Sequence, residues 1–263
     1  MGIKIVLSTA TLSSVSLRAF RNALLQSAGV VMLVVLWQVW VSANAFNTIV
    51  LPGPLSVFRQ LASDPSFFLL NATYTLGLSL AGLVVGTLCG SLIAVAAWSS
   101  RLLSGILAPL SLIFSSVPIV AIIPILLRLF GYQLHTAVIV VALITFFSMY
   151  VFTLTGLRAV PAGSVDVFRV LGASRWNFFR HLAMPAAVPH WLTGLRIAAP
   201  QAVLAAMIAE FLMAMEGLGK VLDVSSSDLQ MDKALAASLV ATALSVGLYF
   251  VADRWAAAIV ARR

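Results

Sequence analysis

Six predominantly apolar runs, each long enough to cross a lipid bilayer, limit what this chain of 263 residues can fold into. A transmembrane helix needs about 20 apolar residues to cross about 30 Å of hydrocarbon, and it satisfies every backbone N–H and C=O internally. The runs are Leu24–Phe46, Ala72–Trp98, Leu102–Phe130, Ala137–Leu157, Trp191–Ala214 and Ala234–Val251. Hydrophobic residues make up 62% of the chain and charged residues 9%, which excludes a water-soluble enzyme. The sequence predicts an all-α, polytopic membrane protein with six transmembrane helices.

The basic residues indicate how these helices are oriented. Six crossings place both termini on one side of the membrane. Eleven basic residues then lie on that side: Lys4, Arg18, Arg21, Arg101, Arg158, Arg169, Arg175, Arg180, Arg254, Arg262 and Arg263. Four lie on or near the other side: Arg59, Arg128, Lys220 and Lys233. The positive-inside rule therefore places both termini in the cytoplasm, and the net charge of +8 reports orientation rather than nucleic-acid binding.

Two connections are too long to be simple turns. The outer one breaks at Pro52 and Pro54 and then places Leu55 and Phe58 on one helical face, which predicts an interfacial helix. The inner one is the longest polar stretch of the chain. The predicted units are a cytoplasmic tail at 1–23, a first transmembrane helix at 24–46, an outer loop with the interfacial helix at 47–71, a membrane core at 72–254 that includes the cytoplasmic loop 158–190, and a basic cytoplasmic C-terminus at 255–263.

The sequence of the cytoplasmic loop predicts two short helices separated by a glycine. Ser164 can cap the first helix, whose first turn would carry Asp166, where a carboxylate favours the helix dipole. That helix is expected to end at Gly172. Ser174 can cap a second helix, which is expected to stop before Pro185.

Two partners fit such a loop. Arg169, Arg175 and Arg180 lie beside the aromatic residues Trp176 and Phe179, a combination that suits a groove on another protein. A basic helix resting on anionic lipid headgroups is the alternative. The residues alone leave both interpretations open.

The spacing of this loop resembles the Glu-Ala-Ala loop of ABC importer permeases, in which E-A-A, three residues, Gly, nine residues and I-x-L-P follow one another. Asp166 occupies the first position, Gly172 the glycine and Pro185 the final proline, with Val167 and Phe168 in place of the two alanines. The resemblance implies that the loop is a coupling helix that docks into a cytoplasmic ATPase. The expected coupling residues are Asp166, Arg169, Gly172, Ala173, Ser174, Arg175, Trp176, Phe179, Arg180 and Pro185.

Other segments resemble the taurine, sulfonate and nitrate type of these permeases in the same order. They are LPGPLSV (51–57), VPIVAIIPILLRLFG (117–131), GLRIA (194–198), the pair Ala209 and Glu210, and GLG (217–219). The resemblance implies a type I ABC importer permease fold in the bacterial inner membrane and a pathway for a small solute such as a sulfonate, taurine or nitrate. It also implies a second permease copy, two ATPase subunits that bind ATP and Mg, and an extracytoplasmic solute-binding protein.

Within the spans, several residues are candidates for the pathway or for helix packing. Gly82, Gly86 and Gly90 form two overlapping GxxxG steps, which let another helix backbone approach closely. Pro118 and Pro124 interrupt the third span and free backbone carbonyls, so that span is expected to line the pathway unless neighbouring helices satisfy the kinks.

Two ionisable residues within the spans have alternative roles. Glu210 is expected to face the bundle interior, paired with an arginine or a helix end, or else to contact substrate. Arg128 either extends to the outer interface or faces the pathway and contacts an anion.

Neither a catalytic set nor a metal site is predicted. GLGKV (217–221) has Ala214 and Val221 where a phosphate-binding loop needs Gly and Ser or Thr, so we expect no ATP site and no cofactor in this chain. A stand-alone secondary transporter or channel remains as a second class, and it would require inverted repeats and ionisable residues in relay.

Overall fold

The computed structural model describes residues 28–116 and 118–261, and within these ranges the secondary structure is helical, without a β-strand. The predicted tail at 1–23 lies outside the described residues. The helices are α1 (Ala28–Ala43), α2 (Pro54–Ser63), α3 (Pro65–Ser99), α4 (Arg101–Ser116), α5 (Ile119–Phe130), α6 (Leu134–Arg158), α7 (Ala162–Val170), α8 (Arg175–Phe178), α9 (Met184–Met213), α10 (Leu218–Ser227) and α11 (Met231–Ala261). A π-helical turn, Phe179–Ala183, joins α8 to α9.

Four helices are long and apolar enough to cross a membrane. They are α3 with 35 residues, α6 with 25, α11 with 31, and the continuous segment Arg175–Met213 with 39. The described part of the first predicted span, α1, is a shorter apolar helix. The third predicted span is not one helix, because Pro118 is extended, with φ −63° and ψ 114°, and the chain divides there into α4 and α5. The count of six crossings stays a prediction.

The centre of the fold is the packing of α3, α6 and α9. A Cβ atom added to Gly86 would lie 2.6 Å from the Ala142 carbonyl oxygen of α6, and one added to Gly90 would lie 2.6 Å from that of Phe146. A Cβ at Gly82 would overlap the side chain of Val141. The three glycines that form the GxxxG steps therefore lie directly against α6, where only a hydrogen atom fits.

Small side chains also form the buried face of α9. Six alanines of this helix lie in the core cluster with Met149 and Val140 of α6: Ala198, Ala199, Ala202, Ala205, Ala206 and Ala209. A second apolar cluster joins α2, α3, α9, α10 and α11. In it, Val57 of α2 and Phe68 of α3 pack with Val203 of α9 and Leu218 of α10. Leu55 and Phe58 of α2 are exposed, and the interfacial position of this helix stays a prediction.

Predicted helix boundaries differ from the structure at both of the long connections. The helix α3 begins at Pro65 rather than Ala72, because Asp64 caps it and accepts a hydrogen bond from the Phe67 N–H at 3.0 Å. The second helix of the cytoplasmic loop does not stop before Pro185 but continues into α9. The Met184 N–H donates to the Phe179 carbonyl, five residues back, and this wider turn precedes the proline in an unbroken helical segment.

Candidate functional site

The segment between α6 and α9, residues 159–183, is predicted to couple the chain to a partner, and we call it the coupling segment. It lies at the end of the bundle where α3 and α6 end. It contains α7, a break at Gly172, and α8 with the π turn. Gly172 has φ +63°, a left-handed conformation that favours glycine, and it ends the first helix as predicted. Ser174 caps α8, and its Oγ accepts a hydrogen bond from the Asn177 N–H at 3.2 Å.

The predicted start of the first helix is wrong. Ser164 does not cap it, because α7 begins at Ala162, directly after Pro161. Asp166 therefore lies beyond the first turn, where it forms an ion pair with Arg169 at 3.1 Å. Both side chains are exposed, so this pair orients the arginine but contributes little stability.

Aromatic rings fix the base of the segment to the end of α3. The Trp98 ring stacks on Phe178 with centroids 6.1 Å apart and an interplanar angle of 13°. Trp98 also lies 5.5 Å from the Phe179 ring centroid, and Phe168 of α7 meets Phe178 edge-on at 5.9 Å. Sequence reasoning missed Trp98, and the only signal for it was a tryptophan at the end of an apolar run.

The outer edge of the same segment is apolar and exposed. Val170 is 87% exposed, Leu171 74% and Trp176 63%. We call these three residues the coupling edge. Arg175 and Arg180 are also exposed, so the coupling edge has a basic rim. Large apolar side chains in this position, held on a fixed aromatic base, are typical of a docking surface.

A buried polar cluster lies at the opposite end of α9. Glu210 is completely buried, and its Oε2 accepts hydrogen bonds from the Thr75 hydroxyl of α3 and from the Gly219 N–H of α10, both at 2.9 Å. The Thr75 Oγ1 in turn accepts a hydrogen bond from the Leu218 N–H at 2.9 Å. We call Thr75, Glu210 and the N–H groups of Leu218 and Gly219 the glutamate junction.

The backbone around the glutamate junction leaves room only for glycine. Gly217 has φ +141°, and a Cβ there would overlap the Glu210 carboxylate. A Cβ at Gly219 would lie 2.7 Å from the Glu210 Cβ. Of the two partners expected for Glu210, the structure shows the helix end, the first turn of α10. Arg196 instead lies 3.0 Å from Asp253 of α11.

The remaining candidates lie apart from both regions. Pro118, Pro124 and Arg128 are exposed on or beside α5. Arg128 lies in the last turn of α5 and forms no ion pair with a carboxylate in ranges 28–116 and 118–261. No group of three His, Cys, Asp or Glu side chains that could hold a metal ion occurs in the part of the chain that the structure describes.

Comparisons with known proteins cover most of the chain. Residues 68–263 match the family described as binding-protein-dependent transport system inner membrane component. A probable ABC transporter permease protein of Haemophilus influenzae is 30% identical over 84% of this chain and 90% of its own length. The formylaminopyrimidine transport permease protein ThiX of Halalkalibacterium halodurans is 33% identical over 72% of this chain and 75% of its own.

A solved structure has the same fold. The crystal structure of an amino acid ABC transporter with histidines superposes with a TM-score of 0.63 at 16% identity. The match covers 78% of this chain and 98% of that chain.

Proposed function

Because the chain belongs to the family of binding-protein-dependent transport system inner membrane components, we propose that it forms the pathway for a small solute and couples that pathway to a separate ATPase. It is a permease component of an ABC transporter and a multi-pass membrane protein. In this proposal two ATPase subunits bind ATP and Mg and dock on the cytoplasmic side. A second copy of the chain completes the pathway, and an extracytoplasmic binding protein delivers the solute.

The coupling edge is the observation that carries this proposal. Val170, Leu171 and Trp176 are exposed, although the aromatic rings directly behind them are packed against Trp98. If this segment only rested on lipid headgroups, its apolar side chains would all point towards the membrane, on the same side as the rings that pack on Trp98. An apolar edge beyond a fixed base instead suits a groove in another protein, so we favour docking over lipid contact for these three residues.

The helix geometry suggests how docking would be transmitted. The segment Arg175–Met213 runs without a break from the coupling edge to the glutamate junction. Its 39 residues correspond to about 58 Å at the rise of an α-helix. Closure of the ATPase dimer would move the coupling edge, and this helix would carry the movement through the membrane and switch the side to which the pathway opens.

The proposed solute is a small molecule of the sulfonate, taurine or nitrate kind, or one of similar size. The name of the Halalkalibacterium relative includes formylaminopyrimidine, which is also a small polar molecule. Selection among such solutes would rest chiefly on the binding protein. Arg128 either extends to the outer interface or contacts an anionic solute in the pathway. In the second case, R128A should weaken uptake of an anionic solute without changing basal ATPase activity, and unchanged uptake would exclude that role.

Copurification tests the proposed docking. A cognate ABC-type ATPase, co-expressed with this chain, should copurify with the wild-type permease, and the double variant G172R/W176A should release it. The matched control is Y132A, because Tyr132 is a 69% exposed aromatic residue outside the coupling segment. The ATPase should stay bound to Y132A. Retention by G172R/W176A would contradict the docking proposal, and solute uptake by vesicles that contain this chain alone would contradict the ATP-driven mechanism.

A further inference from the structure

A basic and aromatic cavity of about 770 Å³ lies between the coupling segment and the turn that joins α3 to α4. Its walls include the aromatic rings of Trp98, Phe168 and Phe178. Three arginines from three different helices also line it: Arg101 of α4, Arg169 of α7 and Arg175 of α8. The cavity lining therefore combines aromatic rings with guanidinium groups.

The charge in this cavity is not neutralised by the described part of the chain. Arg169 has the Asp166 carboxylate at 3.1 Å. Neither Arg101 nor Arg175 forms an ion pair with any carboxylate in the described ranges. A guanidinium group binds phosphate oxygens through paired hydrogen bonds, so two unpaired arginines in one cavity lining favour a phosphate-bearing ligand.

A second cavity, of about 380 Å³, adjoins the first. Val95 of α3 and Phe179 of the π turn line both cavities. The second cavity extends between the ends of α3, α6, α9 and α11, and its walls include Leu157, Val188 and Leu192. Apart from the Ser91 and Thr153 hydroxyls and the Trp191 ring, its lining consists of hydrocarbon and thioether side chains. It suits a hydrocarbon chain rather than a polar solute.

We propose that the two adjoining cavities hold one anionic phospholipid of the cytoplasmic leaflet. Its phosphate lies between Arg101 and Arg175, and one acyl chain enters the apolar cavity past Val95. Basic pockets between transmembrane helices on the cytoplasmic side are suited to anionic lipid headgroups. Trp98, at the end of α3, marks the level of the membrane surface, where phosphates and acyl chains meet.

The bound lipid would connect the start of α4 with the start of α8. Arg101 begins α4, and Arg175 begins the helical segment that leads into α9. One phosphate between them would restrain the base of the coupling segment against the α3–α4 turn. Trp176 of the coupling edge also lines the larger cavity, so the proposed lipid lies against this residue, and its presence does not depend on which solute is carried.

Native mass spectrometry of the purified full chain, without the ATPase, tests the proposal. Wild-type protein titrated with phosphatidylglycerol should retain one lipid, about tenfold more tightly than phosphatidylcholine. Loss of two surface guanidinium groups in R101Q/R175Q should weaken phosphatidylglycerol binding about thirtyfold. The control R180Q/R254Q removes the same charge from two exposed arginines that do not line the cavity, and it should bind within twofold of wild type. Equal binding by the two double variants would overturn the proposal.

A second pair of measurements distinguishes a lipid from a free phosphate. V188F should fill part of the apolar cavity and weaken phosphatidylglycerol binding, while a short headgroup analogue, glycerol phosphate, should bind weakly to wild type and V188F alike. If glycerol phosphate displaces the lipid at equal concentration, the cavity is an anion site and the lipid assignment is wrong. Unchanged melting temperatures of the variants verify that they fold. Because the ATPase is absent, failure here would leave the docking proposal untouched, and loss of docking would leave this result unaffected.

Discussion

The two ends of the helical segment Arg175–Met213 lie in opposite surroundings, because apolar side chains are exposed near one end and a carboxylate is buried near the other. At its N-terminal end, the coupling edge exposes Val170, Leu171 and Trp176. At its C-terminal end, the glutamate junction buries the carboxylate of Glu210 completely. One end leaves large apolar side chains exposed, and the other buries an ionisable group among apolar residues.

This difference lies in how much of each end the chain satisfies by itself. The Glu210 Oε2 has its donors within the same chain, Thr75 and Gly219, whereas the buried Oε1 has no hydrogen-bond partner among the described residues. The Trp176 ring of the coupling edge packs on Phe179 with centroids 5.7 Å apart, yet it stays 63% exposed. Val170 and Leu171 are more exposed still, and the proposed docking would bury all three residues. Internal hydrogen bonding therefore stabilises one end, and assembly would stabilise the other.

The largest effect is expected at Gly217. G217A introduces a Cβ that overlaps the Glu210 carboxylate, at a residue with φ +141°. Backbone strain and overpacking therefore both destabilise this variant. We expect the free energy of unfolding to fall by about 4 kcal/mol. Denaturant unfolding in detergent micelles measures it.

The control for this prediction is G131A. Gly131 also has positive φ, +77°, but a Cβ there meets nothing within 4 Å. Its unfolding free energy should fall by about 1 kcal/mol, from backbone strain alone. Equal losses in the two variants would show that the carboxylate contact does not determine the effect.

Removing the acceptor of the glutamate junction should have the next largest effect. E210A leaves the buried Gly219 N–H without its acceptor and removes one partner of Thr75, so we expect a loss of about 3 kcal/mol. E210Q keeps an acceptor oxygen of the same shape and should lose less than half of that. Unfolding midpoints of the two variants compare them. A loss as large in E210Q would mean that the negative charge, rather than the acceptor, holds α10.

Substitution of two tryptophans distinguishes the packed aromatic rings around Trp98 from the exposed coupling edge. W98A removes the ring that packs on Phe178 and Phe179, and it should cost about 2 kcal/mol of unfolding free energy because Trp98 is half-buried. W176A removes a ring that is 63% exposed and should stay within about 0.5 kcal/mol of wild type, while ATPase copurification falls. Thermal melting together with copurification distinguishes them. A W176A variant as unstable as W98A would place the coupling edge inside the permease fold.

The smallest effect is expected at Asp64, an exposed carboxylate that also binds the start of a helix. Hydrogen bonds from the Ser66 hydroxyl and the Phe67 N–H lower the pKa of Asp64 below its usual 3.8. A lowered pKa in the folded state gives stability above the unfolded pKa, and this stability is lost as the pH falls through the folded pKa.

Melting temperatures between pH 6 and pH 3 test this, with D64N as the comparison. The advantage of wild type over D64N should be constant well above pH 3.8 and should shrink below it. D64N keeps a capping oxygen, so its own melting temperature should depend less on pH. A constant difference across the range would exclude the cap as the source.

Part of the coupling segment could be predicted from local sequence. Gly172 and Ser174 act through backbone conformation and a hydrogen bond to a residue three positions away, and both were identified correctly. The start of α7 was predicted wrongly because a capping serine and a preceding proline competed for the same turn. The continuation through Pro185 was missed because a π turn leaves no composition signal.

The sequence by itself determined the composition and the local periodicity: apolar runs that need lipid, a glycine break between short helices, and the motifs of the permease family. Only the tertiary structure decided which distant residues meet. Thr75 and Glu210 are 135 positions apart, and Trp98 of α3 packs on Phe178 of α8, with four helices between them in the chain. The physical reason is that periodicity reports which face of a helix is apolar, whereas the partner of that face depends on how α3, α6 and α9 pack together.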